Sequence, residues 1–251
     1  MSDIKKEILV NNQTITVPAE EILINKMADC ICEIYKKTEK IGIGFFCHVP
    51  LFDEKLPFLI TNNHILNEND IEINEIINLT INNSIRRIEI DILRKKYTNK
   101  DLDITFIEIR PVQDNIKSFM ELDEENKNNN NNLESSYRKK SIYILNYLKE
   151  KLSVSYGIID EIIEGKQINY YSNLEEESSG GPILSLETSQ IIGILNGGNI
   201  KKKLNFGTFL KYAIERFKND TKKFRNEINL IYFFFRIMIL IVQLEKKIFL
   251  V

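Results

Sequence analysis

From Ile41 onward, apolar residues fall in short runs rich in Ile, Phe, Tyr and Val, and Gly, Pro, Asn and Asp separate the runs. Short runs bounded by turn residues predict strands rather than helices. The predicted strands cover 41–49, 56–62, 73–82, 85–93 and 103–109, then 141–147, 152–163, 167–172, 181–186, 190–196 and 204–210. Between the two sets lies ELDEENKNNNNNLESSYRKK, polar, charged and without periodicity, which reads as a linker or long surface loop. About six short strands on each side of such a break predict an all-β chain of two six-stranded antiparallel barrels. The alternation of strands with long helices that marks a doubly wound sheet is absent.

The flanks have a different texture. Residues 19–37 place Ile22, Ile24, Met27, Cys30, Ile31 and Ile34 near helical spacing with charges between them, which predicts an N-terminal amphipathic helix. After Phe209 the stretch KYAIERFKNDTKKF is helical in character, and 228–244 is nearly all apolar with Asn229, Arg236 and Gln243 inside it. A spanning helix needs about 20 apolar residues, and a central arginine costs about 2.5–3.5 kcal/mol in hydrocarbon. A membrane anchor is therefore the less favoured reading beside a packed helix or a partner-binding segment. On this pattern the chain divides into an extension at 1–40, a main domain at 41–215 and a helical, apolar tail at 216–251. Within the main domain, barrel one covers 41–115, the linker 116–140 and barrel two 141–215.

Composition narrows the function classes. The 251 residues carry 34 Lys and Arg against 36 Asp and Glu, a formal charge of −2, with 43% hydrophobic residues. A domain built to hold phosphate backbones would be basic, so no nucleic-acid partner is expected. The run Lys201, Lys202 and Lys203 lacks the aromatic companions of a nucleic-acid surface and reads as a solvated hairpin tip. Three cysteines, two of them only two positions apart, support neither a disulfide framework nor, with two histidines, a zinc pattern. No metal or cofactor is expected. The opening MSDIKKEILV lacks a signal-peptide core, which points to a reducing, cytoplasmic setting. The chain has 43 Ile and 28 Asn but only 3 Ala and no Trp, a skew that strips abundance alone of meaning.

Two histidines make the search for chemistry short. His48 lies inside GFFCHVP, where strand alternation turns it away from its neighbour Cys47. His64 ends LPFLITNNHIL, where a strand gives way to a turn. Acyl transfer on a serine needs an imidazole base, a carboxylate to hold it, a nucleophile and backbone donors for the oxyanion. The carboxylate candidate is Asp103 at the entrance to the apolar strand DITFIEI, with Asp101 as the alternative. The nucleophile candidate is Ser179 in EEESSGGPILS, where two glycines permit close backbone approach and Pro182 opens the next strand. His64, Asp103 and Ser179 occur in that order, 39 and 76 positions apart, the first two in one strand set and the third in the other.

These segments together resemble the trypsin-like serine proteases of the chymotrypsin superfamily, HtrA-type members above all. GIGFFCHV with FLITNNHIL resembles the glycine-bearing strand and the stretch around the base. DITFIEI resembles the aspartate segment, with Thr105 where Ala is common, and SSGGPILS with QIIGILNGG resembles the nucleophile loop and pocket-flanking strand. The resemblance implies a serine endopeptidase acting on polypeptides, with Ser179 attacking, His64 moving the proton and Asp103 orienting the ring. It also implies an oxyanion hole from the backbone N–H groups of Glu177 and Ser179, and a substrate-binding set of Asn173, Asn196, Gly197 and Gly198.

One position departs from that pattern. The family has Gly two residues before the nucleophile, and this chain has Glu177. A non-Gly residue forced into a left-handed conformation costs about 1–2 kcal/mol. Losing an oxyanion donor raises a barrier by about 2.7–4 kcal/mol. The alternative reading is therefore a catalytically impaired relative whose cleft binds extended peptides or a partner protein without cleaving them.

Overall fold

The structure, a computed structural model, describes residues 27–123, 136–148, 151–172, 179–199 and 203–223. It is mostly β, with two sheets and one C-terminal helix over 210–223. The first sheet contains β1 (Ile31–Lys36), β2 (Glu39–Leu51), β3 (Glu54–Thr61), β4 (Ile76–Ile81), β5 (Ser84–Glu89), β6 (Lys96–Asn99) and β7 (Ile104–Glu108). Its strand order is β5-β4-β1-β2-β3-β7-β6, all antiparallel. The second contains β8 (Ser141–Leu148), β9 (Lys151–Ile163), β10 (Gln167–Ser172), β11 (Pro182–Ser185), β12 (Ile191–Asn199) and β13 (Leu204–Phe209). These six close into a barrel in the order β10-β13-β12-β11-β8-β9.

The two-sheet, all-β architecture is the one the strand pattern predicts, and the second sheet is the expected six-stranded barrel. The first carries seven strands, the five predicted for it with β1 and β6 added. The expected amphipathic helix over 19–37 does not continue through its last turns, where Ile31–Lys36 form a strand between β2 and β4. Ile31 and Ile34 fit helical spacing, but Cys32 and Ile34 fit alternation equally well, and a short β-branched run cannot be assigned by period alone. Two hydrogen-bonded neighbours decide it: Ile31 pairs with Phe45 and Glu33 with Thr80, and Ile31, Cys32, Glu33 and Ile34 are all buried. Residues 19–26 of the expected helix lie outside the described residues, as does the apolar stretch 228–244. No helix among the described residues is long and apolar enough to cross a membrane.

Local chemistry sets the hairpins. Between β4 and β5, Asn82 and Asn83 both take positive φ, 45° and 60°, and Ile81 pairs with Ser84 across them. A two-residue turn with both central residues left-handed matches the twist of the flanking strands, and Asn tolerates that conformation. Alternation then buries Ile77, Leu79, Ile81 and Ile88 with Cys32, Ile34, Phe46, Leu59 and Ile107 in the first core. Ile142, Ile144, Ile159, Ile168, Tyr170, Ile183 and Phe209 fill the second.

The stretch at 116–140 begins and ends in packed structure. Met120 donates its N–H to Phe46 O at 2.8 Å and receives the His48 N–H at 3.1 Å, while Glu121 O accepts the Ile191 N–H at 2.9 Å. One short segment is thus bonded to β2 in the first sheet and to β12 in the barrel. Tyr137 is fully buried, with its ring edge-on to Phe209 at 5.3 Å. Residues 124–135, which hold the Asn-rich run, lie outside the described residues.

Candidate active site

β3 ends at Thr61, and the chain turns at once. The Ile65 and Leu66 N–H groups donate back to Asn62 O at 3.2 and 3.1 Å, and both side chains bury themselves in the first core. Asn62, itself buried, donates from Nδ2 to Asp103 O at 3.0 Å, and Asn63 donates to Thr98 Oγ1 at 2.6 Å. His64 is held between anchored neighbours while its own side chain stays about half exposed.

Asp103 sits at the tight turn that leads into β7, with φ of 47°. Asp is one of the few side chains that tolerates this left-handed region. Its carboxylate grips His64 twice: Oδ1 accepts the His64 backbone N–H at 2.9 Å, and Oδ2 meets Nδ1 at 2.7 Å. A carboxylate has only acceptors, so Nδ1 donates and the lone pair of the neutral ring falls on Nε2. Asn196 adds a third bond, from Nδ2 to Asp103 Oδ2 at 3.1 Å. Asp101, the alternative carboxylate, is exposed and has no part in this arrangement.

Ser179 arrives from the barrel. Its carbonyl accepts the Ile43 N–H from β2 at 3.2 Å, and the next residue, Gly180, donates to Leu195 O at 2.9 Å. Gly180 has φ of +90°, and a Cβ there would lie 1.9 Å from Ile43 O, so only glycine fits. Leu195 returns a bond to Gly181 O at 2.9 Å, and Thr208 Oγ1 donates to Leu102 O at 2.6 Å. The bonds of Ile43 to Ser179 and of Thr208 to Leu102 join the barrel to the first sheet. Ser179 Oγ donates to the backbone carbonyl of Asn196 at 3.1 Å.

His64, Asp103, Asn196 and Ser179 therefore form one connected chain of hydrogen bonds. Gly197 and Gly198 follow in β12, opposite Phe206 and Asn205, and a Cβ on Gly198 would strike Asn205 Oδ1. Asn173 and Glu177 lie outside the described residues. The sequence reading treats Asn196 as a backbone contact for substrate and misses its side-chain bond to Asp103. It misses the supporting roles of Asn62 and Thr208 as well. Nothing in single-sequence spacing links positions 62, 103, 196 and 208.

His48 has a carboxylate partner of its own. Its Nδ1 lies 2.8 Å from Glu121 Oε1, and its ring packs at 4.8 Å on Phe119. Cys47 beside it is fully buried, and burial pushes its thiol well up from the ordinary value, so it is a core residue and not a thiolate nucleophile.

No protein-family model and no curated protein sequence matches the chain. Solved structures do. The serine endoprotease from Yersinia pestis superposes with a TM-score of 0.55 at 14% identity, covering 80% of this chain and 67% of that one. The inactive form of the M. tuberculosis protein Rv3671c, a Ser-to-Ala mutant, gives 0.51 at 14% identity over 80% and 86% of the two chains. Tobacco etch virus protease complexed with product gives 0.51 at 15% identity over 74% and 75%. The fold is that of the chymotrypsin-like proteases. At such identities the likeness speaks for the fold, and function must come from the site.

Proposed function

We propose that this chymotrypsin-like chain is a serine endopeptidase that hydrolyses polypeptides through an acyl-enzyme on Ser179. The supporting observation is the double grip of Asp103 on His64, which fixes both the backbone and the ring of the base, with Asn196 bonded both to that aspartate and to the Ser179 hydroxyl. Ser179 Oγ attacks the scissile carbonyl as His64 Nε2 takes its proton. The bond to Asp103 holds the ring in the required tautomer and stabilises the imidazolium that forms. His64 then returns the proton to the leaving amine, and water repeats the cycle on the ester. Backbone N–H groups of Ser179 and Glu177 are proposed to receive the oxyanion, and the β12 segment Asn196, Gly197 and Gly198 to pair with an extended substrate. Asn173 is proposed for the primary pocket, and a cytoplasmic polypeptide as the substrate.

The test is labelling with an alkyl fluorophosphonate, with the adduct located by peptide mass spectrometry. We expect an adduct on Ser179 that disappears in Ser179→Ala and in His64→Ala. A folded protein that takes no label would overturn the proposal and leave a cleft that binds peptides without cleaving them.

A further inference from the structure

Three chain segments meet at the end of the first sheet where β4 begins and β5 ends. Ile90 donates to Glu75 O at 2.9 Å and accepts the Asn74 N–H at 2.7 Å, which ties 72–75 to the turn at 90–94. The same turn is clamped to the loop at 110–115 by two crossed ion pairs. Asp91 receives the Arg110 guanidinium, and Arg94 forks onto Asp114 at 2.8 and 3.0 Å. The Arg94 and Asp114 side chains are 0% and 1% exposed. A buried ion pair is a poor source of stability, because desolvation offsets its attraction, but it fixes one arrangement of the chain. What it fixes here is a set of apolar side chains in water: Ile92 is 79% exposed, Leu93 80%, Val112 95% and Ile73 50%. Single exposed apolar residues need no explanation, whereas four on three segments bonded to one another form a patch, the mark of an interaction surface.

The charges around the patch select the partner. Lys36 is paired with Asp70 and Lys95 with Glu108, while Arg87 and Glu89, both exposed and two apart on β5, offset each other. What remains is divided between the flanks of the turn. On the segment bonded at Ile90, Glu72 and Glu75 outnumber Lys96, whose ammonium donates to Ile71 O. On the segment bonded at Asp91 and Arg94, the exposed Lys117 is joined by Arg86, whose Nε donates to Asn115 O at 3.2 Å. A rim of one sign calls for a partner of the opposite sign. A rim acidic on one flank and basic on the other is complementary to its own copy, because a two-fold axis in the plane of contact brings each acidic flank onto the other copy's basic flank. We infer that this face docks on the same face of a second copy, forming a two-fold homodimer centred on Ile92, Leu93 and Val112. The clamped loops already hold their final arrangement, so pairing orders little beyond surface side chains. β7 runs five residues, about 17 Å, from the turn of Asp103 to Glu108, so the patch and Asp103 sit at opposite ends of it.

Sedimentation of the full chain at low ionic strength, from about 1 μM to 1 mM, is expected to show a monomer passing to a dimer. Leu93→Asp and Val112→Asp alter side chains that meet water in the free protein, so folding is retained, as circular dichroism will show, and each is expected to weaken association about tenfold or more. Charge reversal then tests how the flanks meet. Glu75→Lys and Lys117→Glu each set like charges face to face at two symmetry-related places and are expected to weaken the dimer. The double variant exchanges the signs of both flanks and is expected to bring association back within about threefold of the original. An equimolar mixture of the two single variants, one with both flanks basic and the other with both acidic, is expected to associate more strongly than either alone. A chain that stays monomeric over the whole range would overturn the inference. A dimer indifferent to Leu93→Asp and Val112→Asp would overturn it as well and place the contact elsewhere, and failure of both the double variant and the mixture to restore association would overturn the two-fold pairing of the flanks.

Discussion

Two histidine–carboxylate pairs occur in this molecule at nearly the same distance, His64 with Asp103 at 2.7 Å and His48 with Glu121 at 2.8 Å. The difference between them lies in everything except that distance. Asp103 is short and fixed in a turn. One of its oxygens is bound by the His64 backbone and the other by the ring and Asn196. Glu121 is longer and about half exposed, and it divides itself between His48 and Lys55 Nζ at 3.3 Å. The Asp103 that holds His64 is bonded to Asn196, whose carbonyl accepts the Ser179 hydroxyl, whereas His48 stacks on Phe119. A separation that looks like a dyad is common surface chemistry. What distinguishes a site is how many independent bonds fix the pair and what reactive atom they face.

The largest test of that contrast exchanges each carboxylate for its amide. Asp103→Asn keeps the shape but offers Nδ1 a donor where it needs an acceptor, which favours the wrong tautomer and is expected to lower kcat by about 10⁴. Glu121→Gln, the same change in the other pair, is expected to leave kcat within about twofold. Steady-state kinetics on the best peptide substrate, with circular dichroism to show folding, read both. Equal losses in the two variants would mean that the pairs are not functionally distinct.

The next largest effect belongs to the loop that gives His64 its neighbour. Gly180→Ala puts a methyl group where Ile43 O lies 1.9 Å away and forces Ala to φ of +90°. Overpacking of this kind costs about 1–3 kcal/mol, and the left-handed backbone adds about 1–2 kcal/mol. Thermal unfolding is expected to show a clear drop in Tm, with labelling of Ser179 falling further than stability alone explains. An unaltered Tm would show that the loop is free to move away from β2.

The contrast between the pairs also marks how far the sequence could be read. The hairpins and both cores are legible because alternation of Ile, Leu and Phe survives the skewed composition, and Asn82 and Asn83 signal their turn directly. β6 is not legible: Lys96–Asn99 holds no apolar run, is only half-buried and exists because it pairs with β7. β1 is misread for the converse reason, since its apolar residues satisfy two periods and only the neighbours choose. At the site, His64, Asp103 and Ser179 stand out by residue type and order, and the structure brings the first two into contact. The bond of Asn196 to Asp103 depends on a register slip in β12, which no local pattern announces. The second histidine was turned from Cys47 by alternation, yet its pairing with Glu121 spans 73 positions and comes only from the segment bonded to both sheets.

Asn196 sharpens the comparison at a smaller scale, because it is the bond that His48 and Glu121 lack. Asn196→Ala removes the side-chain donor from Asp103 while keeping the backbone carbonyl. A hydrogen bond to a charged group contributes about 1.5–3 kcal/mol, so kcat is expected to fall roughly 10- to 100-fold with KM little changed. Asn196→Ser, which can donate again from a shorter side chain, is expected to recover part of that loss, and this separates a positioning role from simple damage to the strand. Full activity in Asn196→Ala would mean that the two bonds from His64 suffice to hold Asp103.

The smallest expected effect is the worth of the His48 and Glu121 pair itself. Both side chains meet solvent, and exposed ion pairs measured by double-mutant cycles contribute about 0.2–1 kcal/mol. His48→Gln, Glu121→Gln and the double variant, compared by urea unfolding, are expected to give a coupling energy in that range. High salt should reduce it, because a Debye length of about 3 Å at 1 M screens exposed charges. A coupling well above about 1 kcal/mol would mean that Phe119 and the segment bonded to β2 and β12 shield the pair enough to make it a structural clasp between the sheets. His48 would then matter to the His64 site through the alignment of the two sheets and not through chemistry of its own.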